Sequence, residues 1–166
     1  MVGILSNLCL ILGFTELLDF FLQRDIDEIV QRIKPLAENS SYGFSGKTLL
    51  LTGGRGFLGR YFTLVLDKLN KDVLTKPAKV IILDNLLTAG NEGAKTPNFS
   101  HMDFVNHNVI EPFKYSGEID FIIHAAGIAS PYYYRAYPME TFEVAIAGTR
   151  NMLELAQRSN ARFSFF

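Results

Sequence analysis

Three glycines in one short segment are the residues of this chain best suited to hold a phosphate. Gly53, Gly56 and Gly59 stand in GGRGFLG, between the apolar run 47–52 and a run with apolar side chains at three-to-four spacing. In this pattern one glycine allows a tight turn, another lets the backbone approach a pyrophosphate, and Gly59 lets a helix pack against a strand. The amino end of that helix offers free N–H groups to phosphate oxygens. The segment therefore predicts a dinucleotide-binding turn.

A carboxylate follows the next predicted strand, where such a site needs one. The run 79–83, KVIIL, predicts that strand, and Asp84 stands at its carboxyl end, 25 positions after Gly59. An acid about 20 residues beyond the glycines accepts the hydroxyls of the adenosine ribose and repels the additional phosphate of NADP. Arg55 favours NADP instead, because a guanidinium can pair with that phosphate. We expect NAD, since Asp84 would lie on the ribose whereas Arg55 can point to solvent.

The elements around these residues alternate between strand and helix. Further strands are predicted at 101–106, 119–125 and 161–166, and a long helix at 139–159. This order predicts an α/β fold of Rossmann type, a doubly wound parallel sheet. The chain ends at Phe166 in the fifth predicted strand, so we expect the sheet to be incomplete there. Gly148 in mid-helix indicates close packing against a strand or another helix.

The long helix also has a predicted buried face. Its members share three-to-four spacing and are Phe142, Ile146, Thr149, Met152, Leu153 and Ala156.

Small and aromatic residues follow the fourth predicted strand. Ala125, Ala126 and Gly127 would let a ligand approach the backbone at the carboxyl end of the strand. His124 just before them is interpreted either as a core histidine or as a group with a chemical role. The aromatic segment 130–138, SPYYYRAYP, either packs on the sheet edge or lines the cofactor and substrate cleft.

The first 45 residues are predicted to be a helical extension and linker, and residues 46–166 the nucleotide-binding domain. Apolar residues between Ile4 and Phe21 form a helical face that would dock on the domain or on a partner chain. Contact of residues 1–21 with a membrane surface and a misplaced start codon are the alternatives. A second helix is expected from Asp25, and Pro35 should end it.

Composition excludes several classes of function. The chain has 166 residues and a formal net charge of -1, so it lacks the basic excess of a general nucleic-acid binder. Cys9 is the only cysteine and cannot form an internal disulfide, which fits a reducing, cytoplasmic compartment. His101, His107 and His124 have no ligand spacing, so no metal site is expected.

Four segments resemble the extended short-chain dehydrogenase/reductase family, and within it the NAD-dependent sugar-nucleotide epimerases and dehydratases. They are LLLTGGRGFLG, ILDNLLTAG, FVNHNVIEP and HAAGIASPYYYRAYPMETFEVAIAGTRNMLELA, and the resemblance extends from about Lys47 to Phe166. The UDP-glucuronate decarboxylases of that family look most similar. Glu143 and Ala145 stand where those enzymes usually have a lysine and an asparagine.

The resemblance implies a cofactor site built from the segments that follow the strands. Its expected members are Gly53, Gly56, Phe57 and Leu58 on the pyrophosphate, Asp84 and Asn85 on the ribose, Thr88 near the phosphates or ribose, Asn108 and Val109 beside the adenine, and Ala125, Ala126 and Gly127 along the nicotinamide. Asn108 replaces the usual aspartate, and its amide oxygen can still accept a hydrogen bond from the adenine amino group.

The family's catalysis uses a tyrosine and a lysine four positions apart, in which the cation lowers the pKa of the tyrosine. No tyrosine of this sequence is followed four positions later by lysine, so no catalytic residue is predicted within it. The chain is therefore expected to be the NAD-binding part of a longer enzyme that acts on a nucleotide sugar, with a UDP-sugar expected, and that forms a homodimer when complete.

The implied reaction begins with oxidation of the sugar at C4. In a glucuronate the C5 carboxyl then belongs to a β-keto acid, which loses carbon dioxide before the ketone is reduced again. A nucleotide-sugar 4-epimerase or 4,6-dehydratase shares the first step, and a non-catalytic NAD-binding interaction protein is the alternative from another class. A methyltransferase shares the glycine loop and the acid, but it explains Gly59 and the segment after His124 less well.

Overall fold

Five short strands form one parallel sheet in a computed structural model of the protein, which describes residues 14–39, 41–89 and 99–166, with side chains from residue 22 onward. The strands are β1 (Thr48–Thr52), β2 (Lys79–Asp84), β3 (Met102–Asn106), β4 (Phe121–His124) and β5 (Arg162–Phe165). Their order in the sheet is β3-β2-β1-β4-β5. The predicted α/β fold of Rossmann type is confirmed.

The central strand β1 marks the point where the chain changes direction across the sheet. Leu50 of β1 pairs with Ile81 of β2 on one side and with Ile122 of β4 on the other. All three side chains are buried, as expected for a parallel sheet covered on both faces. In an open α/β sheet, ligands bind at the carboxyl ends of the strands next to such a switch point.

Helices cover both faces of the sheet. They are α1 (Phe14–Ala37), α2 (Phe57–Asp72), α3 (Pro131–Ala136), α4 (Pro138–Glu143) and α5 (Thr149–Ser159), with a π-helical turn, Val144–Gly148, between the last two. On one face, α1 and α2 pack on Leu49 and Leu51 of β1. On the other face, Met152 and Leu155 of α5 pack on Leu50.

Helix α1 is a single element that shares the core of the sheet. Ile26 and Val30 are buried against α2, and Lys68 of α2 forms an ion pair of 3.0 Å with Asp27. The prediction that Pro35 ends the helix was wrong by two residues. Ala37 still belongs to the helix because it is buried and its carbonyl oxygen accepts a hydrogen bond from the Phe44 N–H at 2.7 Å.

The predicted docking face between Ile4 and Phe21 lies outside the side chains that the structure describes. Among the helices that it does describe, none is long and apolar enough to cross a membrane.

The predicted buried face of the helix 139–159 was partly wrong. Phe142, Ile146 and Leu153 are 61%, 45% and 47% exposed, whereas Gly148 and Leu155 are buried. The π-helical turn explains the error before α5, since its wider turn shifts the register of the preceding residues relative to the core. After the turn, the buried residues of α5 lie on the same helical face as Gly148. Leu153 lies outside that face and is exposed to solvent.

Candidate cofactor site

A cavity of about 610 Å³ lies at the carboxyl ends of β1, β2, β3 and β4. All twelve residues predicted to bind the cofactor line it, although they come from four separate segments of the sequence. The topology explains this convergence, because parallel strands end at the same edge of a sheet. Their individual roles toward a cofactor stay predictions.

The glycine turn after β1 forms one wall of the cavity. Gly53 has a φ of +70°, and a Cβ added there would lie 2.6 Å from the carbonyl oxygen of Ala125. Gly56 is the N-cap residue of α2 and provides no side-chain cap. The first N–H groups of α2, at Phe57 and Leu58, therefore have no intrahelical acceptor and no capping side chain from the part of the chain that the structure describes, which leaves them for an anion.

Asp84 is held rigidly at the end of β2. One carboxylate oxygen accepts from the Arg55 N–H at 2.8 Å, and the other accepts from the Leu86 N–H at 2.7 Å. Each oxygen keeps a second lone pair for a ligand hydroxyl. Asn85 binds the Leu87 N–H through its side-chain oxygen at 3.1 Å, and Thr88 follows on the cavity wall.

The Arg55 side chain is buried, so the prediction that it points to solvent was wrong. It is only 5% exposed, and its guanidinium carbon lies 4.5 Å from the centre of the Phe104 ring. Burial lowers the pKa of Arg55, and the charge of Asp84 opposes that change. Its Nε and Nη1 have no hydrogen-bond partner among the described residues. Attraction to the ring face and to Asp84 offsets part of the cost of burial.

The loop after β3 carries the two residues predicted to lie beside the adenine. Asn108 accepts the N–H of Ile110 with its side chain at 3.3 Å and the N–H of Glu111 with its carbonyl at 3.0 Å. Val109 is 3% exposed. A Cβ added to Gly148 would lie 2.9 Å from Val109 Cγ2, so the close packing predicted for this glycine exists, but against a loop.

The segment after β4 is held by a buried histidine. His124 Nδ1 shares a hydrogen bond of 2.6 Å with Thr52 Oγ1, and Nε2 lies 3.3 Å from Thr149 Oγ1. Thr52 Oγ1 also accepts the Ala126 N–H at 3.1 Å. Of the two interpretations of His124, the core histidine agrees with this burial. Its contacts fix Ala125 and Ala126 along the cavity.

Acidification is expected to destabilise the protein through His124. Burial lowers its pKa to about 4, whereas the unfolded chain has the ordinary value of 6.5. Between these values the unfolded state binds a proton that the folded state excludes. The part of the free energy of unfolding that depends on His124 is therefore fully present above pH 6.5 and is lost as the pH falls toward 4. The slope for one proton is about 1.4 kcal/mol per pH unit.

Urea unfolding at pH 7, 6 and 5 measures this effect as the difference between the wild type and His124→Gln. The free energy of unfolding of the variant should depend less on pH, and parallel profiles would contradict the prediction.

Several cavity-lining residues were missing from the sequence prediction. Tyr133 lines the cavity from α3, which agrees with the second interpretation of the aromatic segment. The other tyrosines of the segment 130–138 could have indicated Tyr133 as a lining residue. Glu140 and Val144 also line the cavity. Neither had a sequence signal: Val144 begins the π-helical turn, which has no recognisable pattern, and Glu140 lies in the short helix α4 before it.

Comparison with known proteins agrees with this fold. The model of the NAD dependent epimerase/dehydratase family matches residues 49–166, and the chain belongs to that family. UDP-glucuronic acid decarboxylase 4 of Arabidopsis thaliana is 34% identical over 82% of this chain and 29% of its own length. UDP-glucuronic acid decarboxylase 6 of the same plant is 36% identical over 75% of this chain and 34% of its own length. The chain thus spans about a third of these curated relatives.

Solved structures lead to the same family. Epimerase Mth375 from Methanothermobacter thermautotrophicus has a TM-score of 0.57 and 26% identity, covering 74% of this chain and 35% of its own. The dTDP-glucose 4,6-dehydratase DesIV from Streptomyces venezuelae, solved with NAD, has a TM-score of 0.53 and 26% identity, covering 69% of this chain and 37% of its own.

Proposed function

We propose that this chain is the NAD-binding part of an enzyme that modifies a nucleotide sugar and that resembles UDP-glucuronate decarboxylase. The observation that carries the proposal is that all twelve predicted residues line one cavity. The decarboxylases among the relatives, at about a third identity, favour the specific activity. A cytoplasmic location is part of the same proposal.

The residues of the cavity fit a dinucleotide. Gly53 and Gly56 bring the backbone close, and the uncapped start of α2 suits a pyrophosphate. Asp84 presents two carboxylate oxygens to the ribose hydroxyls, which favours NAD over NADP. Bound NAD would supply a hydride acceptor for the sugar. The protein holds and orients it through the ends of the four strands.

The proposed reaction of the whole enzyme oxidises C4 of UDP-glucuronate, releases the C5 carboxyl as carbon dioxide and reduces the ketone again. The second candidate is a 4-epimerase or 4,6-dehydratase, supported by two structural relatives, the epimerase Mth375 and the dTDP-glucose 4,6-dehydratase DesIV.

We also propose that the complete protein is a homodimer that binds a UDP-sugar. Exposed apolar side chains on α4, the π-helical turn and α5 support the dimer, since the described residues leave them uncovered: Met139, Phe142, Ile146 and Leu153.

Calorimetric titration tests the cofactor proposal on the wild-type chain. NAD should bind at least about tenfold more tightly than NADP, because the Asp84 carboxylate repels the additional phosphate. Absence of NAD binding at millimolar concentration would refute the proposal.

The proposed reaction is tested with the full-length product of the gene. With NAD and UDP-glucuronate it should release carbon dioxide and form a UDP-pentose, whereas conversion of UDP-glucose to its C4 epimer would favour the second candidate.

A further inference from the structure

The first turn of α5 holds the loop after β3 by a pair of hydrogen bonds. Asn151 Nδ2 donates to the carbonyl oxygens of Val109 at 3.0 Å and Ile110 at 2.8 Å. These carbonyls belong to neither a helix nor a strand. Asn151 therefore donates to them the hydrogen bonds that backbone N–H groups donate in regular secondary structure. Both amide hydrogens of Asn151 are used in this way.

Packing at Gly148 reinforces the same attachment. Gly148 ends the π-helical turn one helical turn before Asn151 along the chain, and only its missing Cβ allows the helix to approach Val109 Cγ2. Val109 is thereby buried at 3% exposure. Helix and loop are some 40 positions apart in sequence and meet through two independent contacts. These contacts hold the loop against α5.

This loop forms one side of the cavity. Asn108, Val109 and Ile110 all line it, whereas Asn151 lies outside the lining. We propose that Asn151 is a positioning residue for the adenine half of the cofactor, acting through the backbone of Val109 and Ile110. This inference rests on the proposed NAD-binding function. Without Asn151 the loop would have to be ordered by the ligand, and that ordering lowers affinity.

Asn70 provides a matched control. Its side chain also makes two hydrogen bonds to backbone, with the carbonyl and the N–H of Ala78 at 2.9 and 2.8 Å, and it is half-buried. Neither Asn70 nor Ala78 lines the cavity. Asn151→Ala and Asn70→Ala should therefore lower the urea midpoint by similar amounts, and only the first should affect the ligand.

AMP is the probe, because it carries the adenine half alone. Calorimetry should show affinity for AMP and for NAD about tenfold lower in Asn151→Ala than in the wild type, the worth of two lost hydrogen bonds of ordinary strength. Asn70→Ala should bind both ligands as the wild type does. Hydrogen exchange without ligand should be faster at the amides of Ile110 and Glu111 in Asn151→Ala only.

A second variant reaches the same loop by another route. Gly148→Ala pushes a Cβ against Val109, while the gain in helix propensity offsets part of the strain. It should also lower AMP affinity, and it serves if Asn151→Ala does not fold. Equal AMP affinities for Asn151→Ala and Asn70→Ala, or unchanged exchange at Ile110, would overturn this inference alone. A wild-type chain that binds neither AMP nor NAD would overturn the proposed function and this inference with it.

Discussion

Replacing Gly59 with alanine is expected to lower the free energy of unfolding by about 4 kcal/mol or more, which is enough to unfold a typical domain of marginal stability. The new Cβ would lie 2.1 Å from the carbonyl oxygen of Gly53 and 2.5 Å from Gly54 Cα. Both are backbone atoms, so no side chain can rotate away to make room. The turn between β1 and α2 would have to open, and it carries both the backbone proposed to face the phosphates and the packing of α2 on the sheet.

Gly127→Ala is the matched control for this prediction. It makes the same substitution at another residue that lines the same cavity, and its added Cβ has no atom of the described residues within 4 Å. Its free energy of unfolding should stay within about 0.5 kcal/mol of the wild type, as for ordinary surface substitutions. Urea unfolding followed by circular dichroism compares the two. A Gly59→Ala chain as stable as Gly127→Ala would show that the turn accommodates a side chain there.

The sheet and the glycine turn were predictable because local patterns determine them. Apolar runs of five or six residues such as Thr48–Thr52 indicate buried strands, and Gly59 marks where the period changes to that of a helix. The order of strands then places the segments after β1 to β4 at one edge of the sheet. This is why residues as distant in sequence as Gly53 and Gly127 could be predicted to line a common cavity.

The errors arose where distant contacts decide the conformation. Arg55 was expected in solvent, but Phe104 of β3 offers it a ring face that no spacing rule reveals. Phe142 is exposed because the π-helical turn interrupts the helical period from which this side chain was predicted to be buried. No sequence pattern indicates a role for Asn151, because the backbone carbonyls that accept its hydrogen bonds are some 40 positions away. Such features depend on the assembled fold.

Asp84→Ala is expected to have the largest effect on the cofactor. The carboxylate is the proposed partner of both ribose hydroxyls, and losing two hydrogen bonds to a charged group costs about 3 kcal/mol, or roughly a hundredfold in NAD affinity. NADP affinity should fall much less, because the repulsion of its additional phosphate disappears together with the carboxylate. The preference for NAD over NADP should therefore shrink or reverse, as measured by calorimetry with both cofactors.

The same substitution also removes a structural contact, so affinity must be separated from stability. In Asp84→Ala the N–H groups of Arg55 and Leu86 lose their acceptors, and the buried Arg55 cation loses its neighbouring charge. Asp120 is the matched control, since its carboxylate accepts the Thr48 N–H at 2.9 Å and pairs with a lysine at the opposite end of β1, outside the cavity. Asp120→Ala should lower the urea midpoint and leave NAD affinity unchanged. If both variants lost NAD affinity in proportion to stability, Asp84 would be a structural carboxylate and the ribose would need another partner.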